Sequence, residues 1–317
     1  MDKLIVHGGR KLSGSVNISG AKNASLPILA AALLTDEDVI IRRVPDVSDT
    51  NYMIQILSAL GAQVERSSGT VRINAKDISH EAPYELVRKM RASICVMGPL
   101  LARLGKARVS LPGGCVIGDR PVDLHLKGLR AIGTVIDMEG GNMDMTTPNG
   151  LIGAEVDLRG KHGPTVLGTD NLMMAAVLAK GSTVIESAAA EPEVVDLANF
   201  LIGMGAKIEG AGTRRITIEG VEKLHGVEHT VIPDRIEAGT FMIAGAMAAG
   251  KEGITLHRVC REHLAPVSEK LIEAGHNVSF NEVGTSVTVS PGEHPKGAKI
   301  ITAPHPGFPT DMQAQFM

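Results

Sequence analysis

The sequence predicts a mixed α/β fold assembled from one repeated unit, and three observations carry that reading. A helical apolar pattern ending in a small-Gly-X turn recurs, with its glycines at 61, 133, 205 and 275, spaced by 72, 72 and 70 residues. A second, almost wholly apolar helical segment precedes each of these. Short β-branched runs separate the two and follow the turn. Self-similarity at a fixed period marks a repeat architecture, and its one unit reads strand–helix–strand–helix–strand–strand.

The elements follow in order. The apolar helices are predicted at 21–34, 88–104, 171–179 and 238–249; they are rich in Ala, Leu and Met on most faces, the composition of a buried helix. Each leads into a strand: Val39-Ile-Ile, Arg108-Val-Ser, Thr183-Val-Ile and Gly253-Ile-Thr. The second helix of each unit is amphipathic, as in Ile54, Leu57, Leu60 or Val194, Leu197, Leu201, and glycine just past its end is the usual stop signal. A strand follows, as in Ala206-Lys-Ile or His276-Asn-Val. Four units end near residue 290. A fifth begins at Lys299-Ile-Ile-Thr and stops at Met317, where its first helix should be starting, so the sequence reads as a fragment of a longer chain.

Composition narrows the function. Net charge is −3 with both signs interspersed, which argues against a basic nucleic-acid face, and 2% aromatic residues leave few stacking platforms. No apolar run approaches the ~20 residues that span a bilayer, and the start lacks a signal-peptide pattern. Cysteines at 95, 115 and 260 form no disulfide framework, so a reducing cytoplasm is expected. The isolated histidines show no ligand spacing, and no metal is predicted.

One copy of the repeat departs from the others. From strand end to turn glycine, three units take 20, 20 and 19 residues, and the unit ending at Gly133 takes 24. The surplus is Leu111-Pro-Gly-Gly-Cys-Val-Ile-Gly-Asp-Arg120, a glycine-rich loop that places a thiol beside a fixed cation. A neighbouring cation favours the reactive thiolate, and a loop that repeat packing does not need is a functional candidate. The starts of the apolar helices carry Lys22 and Asn23, Arg91, Asp170, Arg235 with Glu237, and Asp311. Facing units would bring these together, where helix N-termini suit anionic ligands. Asp170 fits a helix cap better than a ligand, and Asp311 fits either role on chemistry alone. Cys95 reads as core, and Cys260 as structural.

These segments resemble the UDP-N-acetylglucosamine 1-carboxyvinyltransferases, enolpyruvyl transferases. The resemblance rests on Ser19-Gly-Ala-Lys-Asn-Ala-Ser-Leu-Pro-Ile-Leu, Met90-Arg-Ala-Ser, Leu111-Pro-Gly-Gly-Cys, Arg120-Pro-Val-Asp-Leu-His, Pro233-Asp-Arg-Ile-Glu-Ala-Gly-Thr and Thr302-Ala-Pro-His-Pro-Gly-Phe-Pro-Thr-Asp-Met-Gln-Ala-Gln. It implies inside-out α/β barrels of βαβαββ units in two domains around a cleft, one of residues 22–229, the other of 1–21 with 230–317 and lacking about two units. A chain so shortened would be expected to be inactive. The implied reaction moves enolpyruvate from phosphoenolpyruvate to the 3′-hydroxyl of UDP-N-acetylglucosamine and releases phosphate, the first committed step of peptidoglycan synthesis, in the cytoplasm. It needs no cofactor, metal, nucleic acid, membrane or obligatory protein partner.

The resemblance also implies roles. Cys115 would protonate the enol carbon and be the target of the epoxide fosfomycin; Asp311 would accept the sugar hydroxyl proton; Lys22 and Arg120 would hold phosphoenolpyruvate. Asn23 and Arg91 would position substrate. Arg120, Pro121, Val122, Asp123, Leu124 and His125 would carry the loop and part of the nucleotide site, with Pro164, Thr165 and Val166 beside it. Two departures stand out. The family usually reads Ser-Val-Gly-Ala-Thr where this chain has Thr165-Val-Leu-Gly-Thr, its glycine displaced by one, and Ala190 replaces an arginine. The related 3-phosphoshikimate 1-carboxyvinyltransferases share the fold but lack the Cys115 loop; a UDP-sugar-binding protein without turnover is the other alternative.

Overall fold

The computed structural model describes residues 3–113, 122–161 and 163–317. Packing divides the chain into two compact units, residues 1–19 with 233–317, and residues 20–232. The smaller unit opens with β1 (Leu12–Asn17). The larger contains α1 (Lys22–Ala31), β2 (Asp38–Arg42), α2 (Ser48–Ala59), β3 (Gln63–Ser67), β4 (Thr70–Asn74), α3 (Tyr84–Val87), α4 (Met97–Leu104), β5 (Lys106–Ser110), α5 (Asp123–Ala131), β6 (Val135–Glu139) and β7 (Asn142–Thr146). It continues with β8 (Glu155–Asp157), α6 (Val166–Ala176), β9 (Ser182–Glu186), α7 (Pro192–Gly203), β10 (Lys207–Glu209), β11 (Arg215–Glu219) and β12 (Glu228–Thr230). The smaller unit resumes with α8 (Arg235–Ala248), β13 (Ala249–His257), α9 (Arg261–Glu273), β14 (Asn277–Phe280), β15 (Ser286–Ser290) and α10 (Gln313–Phe316).

The sheets share a plan. In the larger unit one runs β12-β2-β4-β3 and another β8-β9-β11-β10; in the smaller the order is β1-β13-β15-β14. Each pairs its first two strands in parallel and the rest antiparallel. The sheet β5-β7-β6 is antiparallel, and a parallel bridge from Glu81 to Arg108 stands at its open edge. Parallel neighbours cannot come from a hairpin, so the partner arrives from a distance. Residues 228–230 return to β2, and residues 12–17 lie beside β13, which is why the N-terminal strand belongs with the C-terminal half.

The turn glycines act alike. Gly61, Gly133, Gly205 and Gly275 all have positive φ, between 87° and 105°. The residue after each donates its N–H back to the carbonyl five positions earlier: Ala62 to Leu57, Thr134 to Leu129, Ala206 to Leu201 and His276 to Leu271, at 2.9–3.0 Å. The glycine N–H goes to the carbonyl three back, completing a Schellman stop that a Cβ would strain.

Burial separates the helices from the sheets. Residues 24–31 of α1, 97–101 of α4 and 168–176 of α6 are all buried. The strands instead alternate, as in the buried Val39 and Ile41 of β2 between exposed Asp38 and Arg42. Helices apolar on every side fill the larger unit's core, and half-exposed sheets cover them. The smaller unit has its own core around Ile18, Met242, Leu256, Leu271, Val287 and Met312.

Three helix boundaries differ from the sequence reading. The segment expected as one helix over 88–104 is broken: α3 ends at Val87, Met90 is extended (φ −145°, ψ 132°), and Arg91–Val96 form a 3₁₀ turn before α4. The helix expected from residue 171 begins at Val166, and the one expected from 238 begins at Arg235. The caps explain both. Thr165 Oγ1 accepts from Gly168 N at 3.2 Å, and Asp234 Oδ1 accepts from Ile236 and Glu237 N at 2.9 and 3.0 Å. Asp170 is therefore not a cap; it lies inside α6.

Candidate active site

In the larger unit the predicted residues occupy helix starts. Lys22 and Asn23 open α1, Arg91 opens the 3₁₀ turn, Val122 precedes Asp123 and Leu124 at the start of α5, and Pro164 and Thr165 precede Val166 at the start of α6. The unpaired N–H groups of such starts favour anionic ligands. The helices that carry them pack on one another: α6 touches α1, α4, α5, α7 and the 3₁₀ turn. Cys115, Arg120 and Pro121 lie outside the described residues.

Lys22 Nζ is 3.0 Å from Asp49 Oδ2, with both side chains about a third exposed. Sequence reasoning missed Asp49, because an acid in the first turn of a helix reads as ordinary dipole matching. Asn23 is exposed and Arg91 half-buried.

His125 is 4% exposed, and its Nδ1 lies 2.9 Å from Asn171 Nδ2. Burial, and secondly the Arg91 charge, lower its pKa to about 4, so the ring is neutral at physiological pH. Asp170 is 2% exposed, and its Oδ1 has no hydrogen-bond partner among the described residues. Burial, then Glu193, then Glu191 push its carboxyl well above the usual range. Burial, with Asp170 behind it, does the same to the Cys95 thiol, an inert core residue in the 3₁₀ turn.

The displaced glycine has a local cause. A Cβ at Gly168 would sit 2.4 Å from Thr165 Cγ2, so a threonine cap in this position requires glycine three residues on. Thr169 Oγ1 donates to Thr165 O at 2.7 Å and accepts from Ala189 N at 3.1 Å, tying the start of α6 to the segment that ends in the buried Ala190.

In the smaller unit Asp311 lies in the 3₁₀ turn Thr310–Met312, exposed, and no side-chain bond caps that turn. Buried Phe308 and Met312 anchor the turn on both sides, and Phe308 meets Phe316 edge-on at 5.5 Å. A cavity of about 720 Å³ in this unit is lined by Ile243, Ala246, Leu271, Ile300 and Phe316 among others, and by none of the predicted site residues. Cys260 precedes α9 and donates to Glu262 Oε2 at 3.0 Å.

The family model for EPSP synthase (3-phosphoshikimate 1-carboxyvinyltransferase) matches residues 6–317. UDP-N-acetylglucosamine 1-carboxyvinyltransferase of Akkermansia muciniphila is 67% identical over 99% of this chain and 74% of its own length. The protein of the same name from Methylacidiphilum infernorum is 55% identical over 100% and 74%. Among solved structures, the enolpyruvyl transferase NikO from Streptomyces tendae superposes with a TM-score of 0.85 at 27% identity, over 98% of this chain and 73% of that one. EPSP synthase from Acinetobacter baumannii shares the fold at 19% identity, with a TM-score of 0.70 over 92% and 67%. With a family match along nearly its whole length and such identity to these relatives, the chain belongs to the EPSP synthase family, among its UDP-N-acetylglucosamine 1-carboxyvinyltransferases.

Proposed function

We propose that the protein transfers the enolpyruvyl group of phosphoenolpyruvate to the 3′-hydroxyl of UDP-N-acetylglucosamine, releasing phosphate and committing the sugar nucleotide to peptidoglycan synthesis in the cytoplasm. The observation that carries this is 67% identity over 99% of the chain to a relative of that activity. Among the described residues no helix is long and apolar enough to cross a membrane. We read the two units as inside-out α/β barrels of βαβαββ repeats, with domains at 22–229 and at 1–21 plus 230–317.

The residues take the following roles. The Cys115 thiol gives its proton to the methylene carbon of phosphoenolpyruvate, while the sugar hydroxyl oxygen attacks the adjacent carbon and Asp311 takes the hydroxyl proton. The tetrahedral ketal then returns a proton from its new methyl group to the Cys115 thiolate and expels phosphate, restoring the double bond and the thiol. Lys22 and Arg120 hold the phosphate and carboxylate charges, the arginine by its planar fork and the lysine as a compact charge. Arg91 and Asn23 orient the substrates. The starts of α5 and α6, with residues 121–125 and 164–166, serve the nucleotide. An unperturbed thiol has a pKa near 8.5 and can act as an acid at neutral pH, and a cation beside it would raise its reactivity toward an epoxide such as fosfomycin.

Phosphate release by the full-length protein, measured with each acceptor, separates the readings. Release that requires UDP-N-acetylglucosamine supports the proposal. Release with 3-phosphoshikimate instead would move the protein to the sister activity, and tight UDP-sugar binding without release would make it a binding protein.

A further inference from the structure

Asn171 is fully buried in α6, and its amide makes three hydrogen bonds, one at Oδ1 and two at Nδ2. Its Oδ1 accepts the Gly98 N–H at 3.0 Å, and its Nδ2 donates to the Ile94 carbonyl at 3.0 Å. Those two backbone groups fix which end of the amide is which, because an N–H needs an acceptor and a carbonyl needs a donor. The second Nδ2 proton then lies toward His125 Nδ1, 2.9 Å away. That ring nitrogen must be the acceptor, and a neutral imidazole carries its proton on the other nitrogen. The packing leaves no slack, since a Cβ on Gly98 would stand 2.4 Å from the Asn171 backbone oxygen and 3.2 Å from its Oδ1.

Each partner belongs to a different site-bearing segment. Ile94 is in the turn that Arg91 opens, Gly98 is in α4, and His125 is the third residue of α5, just past residues 114–121. We infer that Asn171 is a positioning residue for the transfer reaction: it holds His125 as the Nε2–H tautomer and locks the start of α5 to the Arg91 turn. Its link to catalysis rests on the proposed function; the tautomer does not. Asn171 touches no reacting atom in this role and acts through Arg91 and α5.

Two-bond nitrogen–proton spectra of the histidine-labelled protein, with the His125 signals assigned by His125→Gln, read the tautomer directly. The wild type is expected to show Nε2–H. In Asn171→Asp an ionised carboxylate can only accept and would drive a proton onto Nδ1, whereas a carboxyl that keeps its proton at this buried position donates and leaves the Nε2–H ring in place. The KM for UDP-N-acetylglucosamine then rises about 10- to 100-fold in the folded fraction, the scale expected when a site segment shifts slightly. A wild-type Nδ1–H ring would overturn the tautomer. An altered ring with unchanged KM would overturn the positioning role. Should Asn171→Asp not fold, the wild-type spectrum decides the tautomer, and Asn171→Ser, which keeps one donor, decides the KM. Absent turnover in the wild type would sink the assigned reaction and leave the tautomer to the spectrum.

Discussion

Lys22 Nζ stands 3.0 Å from Asp49 Oδ2, at the meeting of the first turns of α1 and α2, with both side chains still open to water. A pair this exposed contributes under about 1 kcal/mol to stability. On the proposed function Lys22 matters more for what it binds than for what it holds. Lys22→Met is expected to change the unfolding free energy by less than about 1 kcal/mol, while kcat/KM for phosphoenolpyruvate falls about 100-fold, the usual scale for removing one partner of a bound charge. Denaturant melts beside steady-state kinetics check both; a large stability loss with intact kinetics would make Lys22 structural.

Gly205 tests the helix stops. Its φ is 102°, and a Cβ there would meet nothing closer than His225 Cδ2 at 3.5 Å. Gly205→Ala therefore isolates backbone strain from steric clash and should cost about 1–2 kcal/mol, read as a lower urea midpoint with an unchanged m-value. Gly61→Ala should cost more, because its Cβ would lie 2.5 Å from the Asp77 carbonyl oxygen.

His125 sets an acid limit. Unfolded, it takes its proton near the ordinary 6.5; folded, burial and then Arg91 delay this to about 4. Between those values the unfolded state binds more protons, so stability rises with pH there, is complete above about 6.5 and is lost on acidification toward 4. From pH 7 to 5 this group alone removes about 2 kcal/mol. His125→Gln should flatten that part of the pH–stability curve; a variant parallel to wild type would contradict the shift.

Asp170 pulls the other way. Its carboxyl, raised by burial and by Glu193 and Glu191, keeps its proton longer in the folded state, so this group lowers stability as pH rises above the ordinary carboxylate range. Asp170→Asn keeps the shape and adds donors toward those glutamates. Melts at pH 5 and pH 8 should show the variant gaining on wild type by about 1–3 kcal/mol at the higher pH; no difference between the two conditions would count against a buried, proton-holding carboxyl.

Local rules made part of this legible in the sequence. The four helix stops could be read because a Schellman turn is written within six residues, as at Leu57 to Ala62. The start of α6 could not, because apolar periodicity begins after Thr165 and the acid at 170 imitates a cap. The break at Met90 was hidden by an apolar run that suits a 3₁₀ turn as well as an α-helix. Lys22 and Arg91 were reached from the repeated helix starts and again through motif resemblance, and His125 through the resemblance alone. Asn171 was not, since its partners lie 46, 73 and 77 residues away and only packing joins them.

The most direct test of the whole account compares phosphate release from phosphoenolpyruvate, with UDP-N-acetylglucosamine present, by the full-length wild-type protein and by its Cys115→Ala form. The account predicts steady release by the wild type, coupled one to one with enolpyruvyl product, and loss of turnover by at least about 100-fold in the variant, as expected when a proton donor is removed. Equal rates for the two proteins, or no release by the wild type, would contradict it.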